Sequence, residues 1–315
     1  MDATDLALLD GFQRDLPLVA RPFAAIGDRL GLTEGDVLAR LTRLQAEGRL
    51  ARVGATVRPQ TAGASTLCAM AVPEARIETV AAQISAEPGV NHSYLREDHW
   101  NLWFVTTAPD AAALDATLTR LRAATGLTLL DLPILQAFNI DLGFRLQGPR
   151  AAMPADRPAS PHVITAEDRA LLQHLSHGLP LIPRPFQAMG EEDTLARLCR
   201  LLQAGILTRI GLIVRHRSLG YTANAMVVWS LPEAAIAAAG PALAALPGIS
   251  LCYHRRPDAT HWPFALYSMI HAKSRPEALE ILARAHALPE LAGAMARPLF
   301  STRCFKQTGA LLEAA

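Results

Sequence analysis

The sequence predicts an α+β protein built as a tandem repeat, each copy a winged helix-turn-helix followed by a ferredoxin-like βαββαβ sandwich module. Three observations carry this. Leu8-Leu9, Pro17-Leu18 and Arg21-Pro22-Phe23 return as Leu171-Leu172, Pro180-Leu181 and Arg184-Pro185-Phe186 at a constant offset, the mark of a duplicated unit. Within each copy the apolar pattern changes from helical spacing to strand-like alternation. Residues 89–104 and 248–264 then repeat a second signature of Gly, a β-branched residue, Tyr-x-Arg and His-Trp.

Each copy opens on helices. Pro22 and Pro185 stand before Phe, where the first turn of a second helix loses nothing by lacking an N–H. In the first copy Thr33 is an N-cap with acidic residues behind it. Val37, Leu38, Leu41 and Leu44 form an apolar stripe, and Gly48 is placed to end that third helix. Residues 49–57 alternate as a strand pair or wing. In the second copy residues 194–205 and 206–214 repeat helix and wing, but six residues are missing before the third helix. Much of the turn that aims a recognition helix is gone.

The second module of the first copy reads as strand 65–72, helix 74–86, strands 90–97 and 100–107, helix 110–124 and strand 127–132, with a further strand over 136–144. That order is βαββαβ. The second copy runs parallel: strand 223–231, helix 233–246, strands 249–256 and 262–271, helix 275–287 and a strand region at 293–306. Between them residues 146–161 hold four prolines and no apolar period, which is a linker. The expected boundaries are therefore 1–60, 61–145, a linker over 146–163, 164–218 and 219–315.

Composition narrows the function classes. Half of the 315 residues are hydrophobic, 19% are charged and the net charge is +1. A near-neutral chain is not what phosphate binding selects, so DNA is not the expected partner. Cys68, Cys199, Cys252 and Cys304 stand far apart with no CxxC and read as free or buried thiols of a reducing compartment. No apolar run reaches the roughly 20 residues of a membrane span, and the acidic start does not read as a signal peptide. A cytoplasmic protein is expected.

Candidate site residues lie in the second signature. His92, Tyr94 and Arg96 alternate along one strand and so share one face. Tyr253 and Arg255 align with Tyr94 and Arg96, Leu251 stands where His92 would, and His254 points to the opposite face from Arg255. His99-Trp100 and His261-Trp262 sit at the mouths of the two hairpins.

A winged helix-turn-helix followed by a βαββαβ module resembles the leucine-responsive/asparagine-type (Lrp/AsnC) regulators, most visibly in Arg40-Leu-x-Arg-Leu-x-x-x-Gly48. Within that superfamily the motifs Gly-Val-x-His-x-Tyr-x-Arg-Glu and Asn-Leu-Trp-Phe of the first copy resemble one subunit type of siroheme decarboxylase. Cys252-Tyr253-His254-Arg255, Pro257, Trp262-Pro263-Phe264 and Met269-Ile270-His271 resemble the other. The chain looks like a fusion of both, an internal pseudo-dimer whose further oligomerisation is open.

The resemblance implies loss of CO₂ from two acetate side chains of siroheme, giving didecarboxysiroheme on the way to d1-type heme. His92, His99 and His261 are the expected catalytic histidines. Tyr94, Arg96, Trp100, Tyr253, His254, Arg255, Trp262 and His271 are the expected substrate contacts. Arginine suits the carboxylates, aromatic walls suit the flat ring, and histidine suits proton delivery. No separate cofactor and no metal of the protein's own is implied, since the iron belongs to siroheme; which histidine meets that iron stays open. The alternatives are a DNA-binding regulator sensing a small molecule and a non-catalytic heme carrier.

Overall fold

The computed structural model describes residues 1–140, 143 and 163–312. The first repeat contains α1 (Ala3–Gly11), α2 (Pro22–Leu30), α3 (Glu34–Ala46), β1 (Leu50–Val57), β2 (Ala64–Met70), α4 (Ile77–Ala86), β3 (Val90–Arg96), β4 (Leu102–Ala108), α5 (Ala111–Thr125), β5 (Leu129–Leu132) and β6 (Ile134–Ile140). The second contains α6 (Ala166–His177), α7 (Glu191–Gln203), β7 (Leu207–Val214), β8 (Ala223–Ser230), α8 (Glu233–Ala245), β9 (Ile249–Arg255), β10 (Leu266–Ala272), α9 (Arg275–His286) and β11 (Met295–Gln307). The expected linker lies, apart from Val163, outside the described residues.

The two repeats contribute like parts to like units. One compact unit gathers residues 1–62 and 163–220, the other residues 63–140 and 221–312. In the first unit the helix ends follow local chemistry. Thr33 accepts from the Asp36 N–H and Asp36 answers to the Thr33 N–H, a reciprocal cap. Thr165 and Asp168 do the same for α6. Pro22 opens α2 as expected. Phe23, Ile26, Val37, Leu41 and Leu44 are fully buried, each stabilising the packed helices by about 1.5–3 kcal/mol before entropy is counted.

Two expectations fail here. The second repeat has no second helix: Pro185-Phe186 lead only into a 3-10 turn, Gln187–Met189, because the shortened segment leaves no residues for further turns. Nor is residues 49–57 a wing hairpin. It is the single strand β1, which pairs antiparallel with β7 of the other repeat, Gly54 facing Gly211. Those glycines are needed for close approach. A Cβ on Gly54 would stand 2.6 Å from the Leu175 carbonyl oxygen of α6, and one on Gly211 would stand 2.5 Å from the backbone of Phe12 and Gln13, just past α1.

The second unit is a sandwich of two βαββαβ modules. Strand order is β5-β2-β4-β3-β11-β8-β10-β9-β6. The two ends of that row, β5 and β6, are one nearly continuous segment of chain. β5 pairs with β2 of its own module and β6 with β9 of the other. β11 does the reciprocal thing, pairing first with β8 and then with β3. Each module thus donates its last strand to its neighbour's edge, covering β9 and β3. Helices α4 and α5 cover one outer face over Val80, Ile84, Phe104, Leu118 and Leu121. Helices α8 and α9 cover the other over Ile236, Leu243, Leu266, Ile281 and Leu282. The inner faces meet on Leu67, Trp100, Trp103 and Leu130 from one module and Met226, Trp262, Phe264 and Tyr267 from the other. The segment 262–265, expected to be strand, is irregular, and β10 starts at Leu266. Trp262 instead closes a turn with Asp258.

None of the four cysteines forms a disulfide. Among the described residues no helix is long and apolar enough to cross a membrane, and no group of three or more His, Cys, Asp or Glu is disposed to hold a metal ion.

Candidate active site

Tyr94 lies opposite Trp103 in the ladder, and Trp103 is part of the inner core. Tyr94 and its alternating neighbours His92 and Arg96 therefore share the inner face of the sandwich. Tyr253 lies opposite Tyr267, also in the inner core, which puts Leu251, Tyr253 and Arg255 on the equivalent face.

The two arginines are near-copies of each other. Arg96 and Arg255 are each 7% exposed. Arg96 donates from Nη1 to the Leu299 carbonyl at 3.0 Å, and Arg255 from Nη1 to the Leu132 carbonyl at 2.8 Å. Those carbonyls lie where the exchanged strands pass between modules. Each guanidinium also lies over a tyrosine ring, Arg96 on Tyr94 at 5.6 Å and Arg255 on Tyr253 at 5.2 Å and Tyr267 at 5.6 Å. Among the described residues neither meets a carboxylate, and the Nε of each is buried without a hydrogen bond. Burial pulls both pKa values below the ordinary arginine range, Arg96 down to about 10, with the Tyr94 hydroxyl acting weakly the other way. Arg96 remains cationic at neutral pH. A desolvated cation without a counter-ion is unfavourable, and an entering carboxylate would relieve it.

The hairpin mouths bring the aromatic residues together. Asp98 accepts from the Trp100 N–H at 2.9 Å and pairs with Arg297 at 3.2 Å. Asp258 accepts from the backbone N–H groups of Thr260 and His261 and contacts His261 Nδ1 at 3.2 Å. The hydrogen bond from the His261 backbone is the main reason its carboxyl lies below the usual range. Trp100 stands edge-on to His99 at 6.0 Å and to His261 at 6.1 Å. Trp103 packs edge-on to Trp262 at 5.2 Å, and Trp262 donates from Nε1 to the Tyr267 hydroxyl at 2.8 Å. A connected path thus runs from Arg255 through Tyr267, Trp262 and Trp103 toward Trp100 and both rim histidines, which are exposed.

Not every expected residue joins this group. His92 stacks on Tyr94, 6.4 Å between ring centroids, but sits at the opposite end of β3 from the rim. His254 lies opposite Leu266, in the core beneath α8 and α9. Strand alternation carries it to the helix side, where partial burial lowers its pKa against the pull of Glu233. His271 follows Tyr267 and Met269 by alternation onto the inner face, with Nδ1 2.6 Å from Ser250 Oγ.

Sequence reading did not single out four residues that shape this region. Tyr267 anchors Trp262. Arg297 lies over Trp262 and Phe264 at 5.6 and 4.9 Å. Asn91 and Ser250 hold histidine rings. Tyr267 was findable as the Tyr in the strand paired with Tyr-x-Arg. Arg297 carried no local signal.

Known proteins place the fold. Residues 62–139 and 218–306 match the AsnC-like ligand binding domain, and residues 5–50 match the siroheme decarboxylase NirDL-like HTH domain. A siroheme decarboxylase NirDL subunit of Paracoccus denitrificans (strain Pd 1222) is 59% identical over 99% of this chain and 98% of its own length. The chain belongs to the siroheme decarboxylase NirDL family. A NirD subunit of Stutzerimonas stutzeri, 54% identical, matches 47% of the chain and 98% of itself, so half of this chain corresponds to a free-standing subunit in that organism. The crystal structure of a siroheme decarboxylase NirDL in co-complex with an iron-uroporphyrin III analogue superposes with a TM-score of 0.69 at 26% identity, covering 98% of this chain and 92% of that one. Membership in this family matches the expected fold class, and the structure adds the exchange of strands between modules.

Proposed function

We propose that this chain is a siroheme decarboxylase, a carboxy-lyase that removes CO₂ from two acetate side chains of siroheme to give didecarboxysiroheme. The observation that carries the reading is the pair of buried arginines, Arg96 and Arg255, that meet no carboxylate among the described residues and lie on equivalent inner strands of this family's fold. A flat macrocycle fringed with carboxylates supplies what they lack. Arginine binds a carboxylate through two parallel N–H groups, and the free Nε of each side chain is one such donor.

The chemistry needs little else. The bond between the acetate methylene and its carboxyl carbon breaks, CO₂ departs, and the electron pair stays on the methylene carbon, where the conjugated ring spreads it. A proton delivered to that carbon completes a methyl group. In this reading His92, His99 and His261 are the candidate proton donors. Tyr94, Trp100, Tyr253 and Trp262 form the walls, and His271 is a further contact. His254 is left out because it faces the helices. The iron is the substrate's own, no separate cofactor enters, and the enzyme works in the cytoplasm.

The regulator reading is weakened by the helix that would enter a groove. Arg40 is paired with Asp2 and Asp5, Arg43 with Asp5 and Glu47, and Arg197 with Asp193 and Asp168. Arginines already neutralised within the chain gain little from DNA phosphates.

The test is anaerobic incubation of the purified chain with siroheme, followed by product mass. Loss of two carboxyl groups supports the reading. Unchanged siroheme, together with salt-sensitive binding to a specific duplex, overturns it in favour of a regulator; tight binding without CO₂ release favours a carrier.

A further inference from the structure

The two hairpin mouths are built differently. Two residues separate Arg96 from His99, but five separate Arg255 from His261. In the short mouth Asp98 is the residue next to His99, yet it turns away to the Trp100 N–H and to Arg297. Its side chain is 8% exposed, so these two contacts use it up. Among the described residues His99 makes no hydrogen bond, and its ring meets only the edge of Trp100.

The extra residues of the long mouth give Asp258 and His261 the spacing of the two ends of a tight turn. The Asp258 N–H donates to the Trp262 carbonyl at 3.0 Å and the Trp262 N–H to the Asp258 carbonyl at 2.8 Å, which closes the loop. Trp262 is buried and anchored on Tyr267, so one end of the loop is fixed in the inner core. Within it a single oxygen, Asp258 Oδ1, accepts from the Thr260 N–H at 3.0 Å and the His261 N–H at 2.9 Å, and stands 3.2 Å from His261 Nδ1. The His261 N–H above all, then the Thr260 N–H, draw this carboxyl below its ordinary range, so it is ionised at neutral pH. An ionised carboxylate has no hydrogen to give, which makes the ring the donor, from Nδ1. Among the described residues Nε2 makes no hydrogen bond, and the ring's other contact is the edge of Trp100. A partly exposed pair of this kind adds little to stability; what it does is hold the ring in one orientation.

We propose that Asp258 is a positioning residue for His261, holding the ring by Nδ1–H so that Nε2 delivers the proton when the substrate loses CO₂. In its acid form the ring carries a second proton, on Nε2. The electron pair left on the methylene carbon takes that proton, the last C–H bond of the new methyl group forms, and the ring returns to neutral with Nδ1–H still on Asp258, which does not itself take up the proton. The first module's mouth has no counterpart, because Asp98 is engaged by Trp100 and Arg297. The two rim histidines are thus not interchangeable. The proposal deepens the functional reading above and rests on it.

The experiment is a double-variant cycle on the full chain turning over siroheme without oxygen: wild type, Asp258→Ala, His261→Ala and the two combined. Asp258→Ala should lower kcat by about 10–100-fold, the usual loss when a histidine's orienting partner is removed, with KM changed by less than about threefold. In the His261→Ala background the same change should cost nothing further, because Asp258 acts only through the ring. Asp258→Asn keeps an oxygen where the two backbone N–H groups select it and should recover most of the lost kcat. A residue that merely shapes the loop would raise KM and would cost as much with His261 gone as with it present. Full kcat in Asp258→Ala overturns the proposal, as does full kcat in His261→Ala or an equal loss in both backgrounds. Long-range ¹H–¹⁵N NMR of the ¹⁵N-histidine-labelled chain, with the His261 signal assigned from His261→Ala, reads the contact without substrate and serves also if Asp258→Ala fails to fold. Nδ1–H is expected for His261 in the wild type, and an Nε2–H ring overturns the proposal. If the wild type leaves siroheme unchanged, the functional reading fails, and the NMR signal still reports whether Asp258 holds the ring.

Discussion

Arg96 crosses the line between modules to reach the Leu299 carbonyl, 3.0 Å away. Leu299 belongs to the strand that the second module lends to the first, so the arginine is seated by the strand exchange itself. Arg255 repeats the contact with Leu132 in the opposite sense. Neither residue could be placed this way in an isolated module.

Replacing Arg96 by Met should therefore separate folding from binding. A buried cation without a counter-ion is unfavourable, and an apolar side chain of similar length is often neutral or stabilising. The lost hydrogen bond to Leu299 works the other way by about 1 kcal/mol. Thermal stability should change little, while the dissociation constant for siroheme, followed by its absorbance, should rise by about tenfold or more. Because burial brings the Arg96 pKa down to about 10, wild-type affinity should stay level through neutral pH and fall as pH rises through that value. An unchanged dissociation constant in Arg96→Met removes this residue from the site.

Gly240 offers a test of the strand exchange. It lies inside α8, where Ala normally stabilises a helix by about 1 kcal/mol relative to Gly. Here a Cβ would stand 2.3 Å from the ring of Phe138 on β6, the strand donated by the other module. Gly240→Ala should destabilise by about 1–3 kcal/mol, and Phe138→Leu should recover part of that in the double variant. Additive effects in the denaturation cycle would mean that the ring and the helix do not press on one another.

Asp5 sets a pH dependence for the helical unit. Burial works to raise its pKa, but hydrogen bonds from Arg43, the Asp2 N–H and Arg40 outweigh this and hold it at about 2, against 3.8 for an unperturbed aspartate. A carboxylate whose folded pKa is depressed contributes stability above its unfolded pKa and loses it as pH falls through the folded one, here about 2 kcal/mol in all. Asp5→Asn should lower the unfolding midpoint at neutral pH, and its gap to the wild type should narrow from about pH 4 down to about pH 2. A gap that stays constant over that window would assign Asp5 a packing role alone.

His99 and His261 are exposed at the hairpin mouths, so alanine at either should change stability by less than about 0.5 kcal/mol. Whichever supplies the proton to the new methyl group should lower kcat by about 10²–10⁴-fold when removed. Single-turnover measurements on both variants decide between them. Full turnover in both would move the proton donor to His92.

Much of this protein follows from its sequence. The duplication is written in Arg21-Pro-Phe and Arg184-Pro-Phe, and the order of helices and strands in their periods. The shared face of His92, Tyr94 and Arg96 follows from alternation, because successive side chains of one strand must point opposite ways whatever the strand pairs with. The same rule places His254 away from Arg255. Tertiary structure alone decided the rest. Residues 49–57 looked like a wing because alternation says nothing about the partner, and the partner is a strand of the other repeat. The destination of β6 and the passage of β11 from β8 to β3 depend on which edges lie open in the folded modules. So do the seats of Arg96 and Arg255 on carbonyls of the other module and the place of Trp100 between His99 and His261. The register shifts beside Asn91 and Ser250 arise between strands, a property of the pair that neither strand carries by itself.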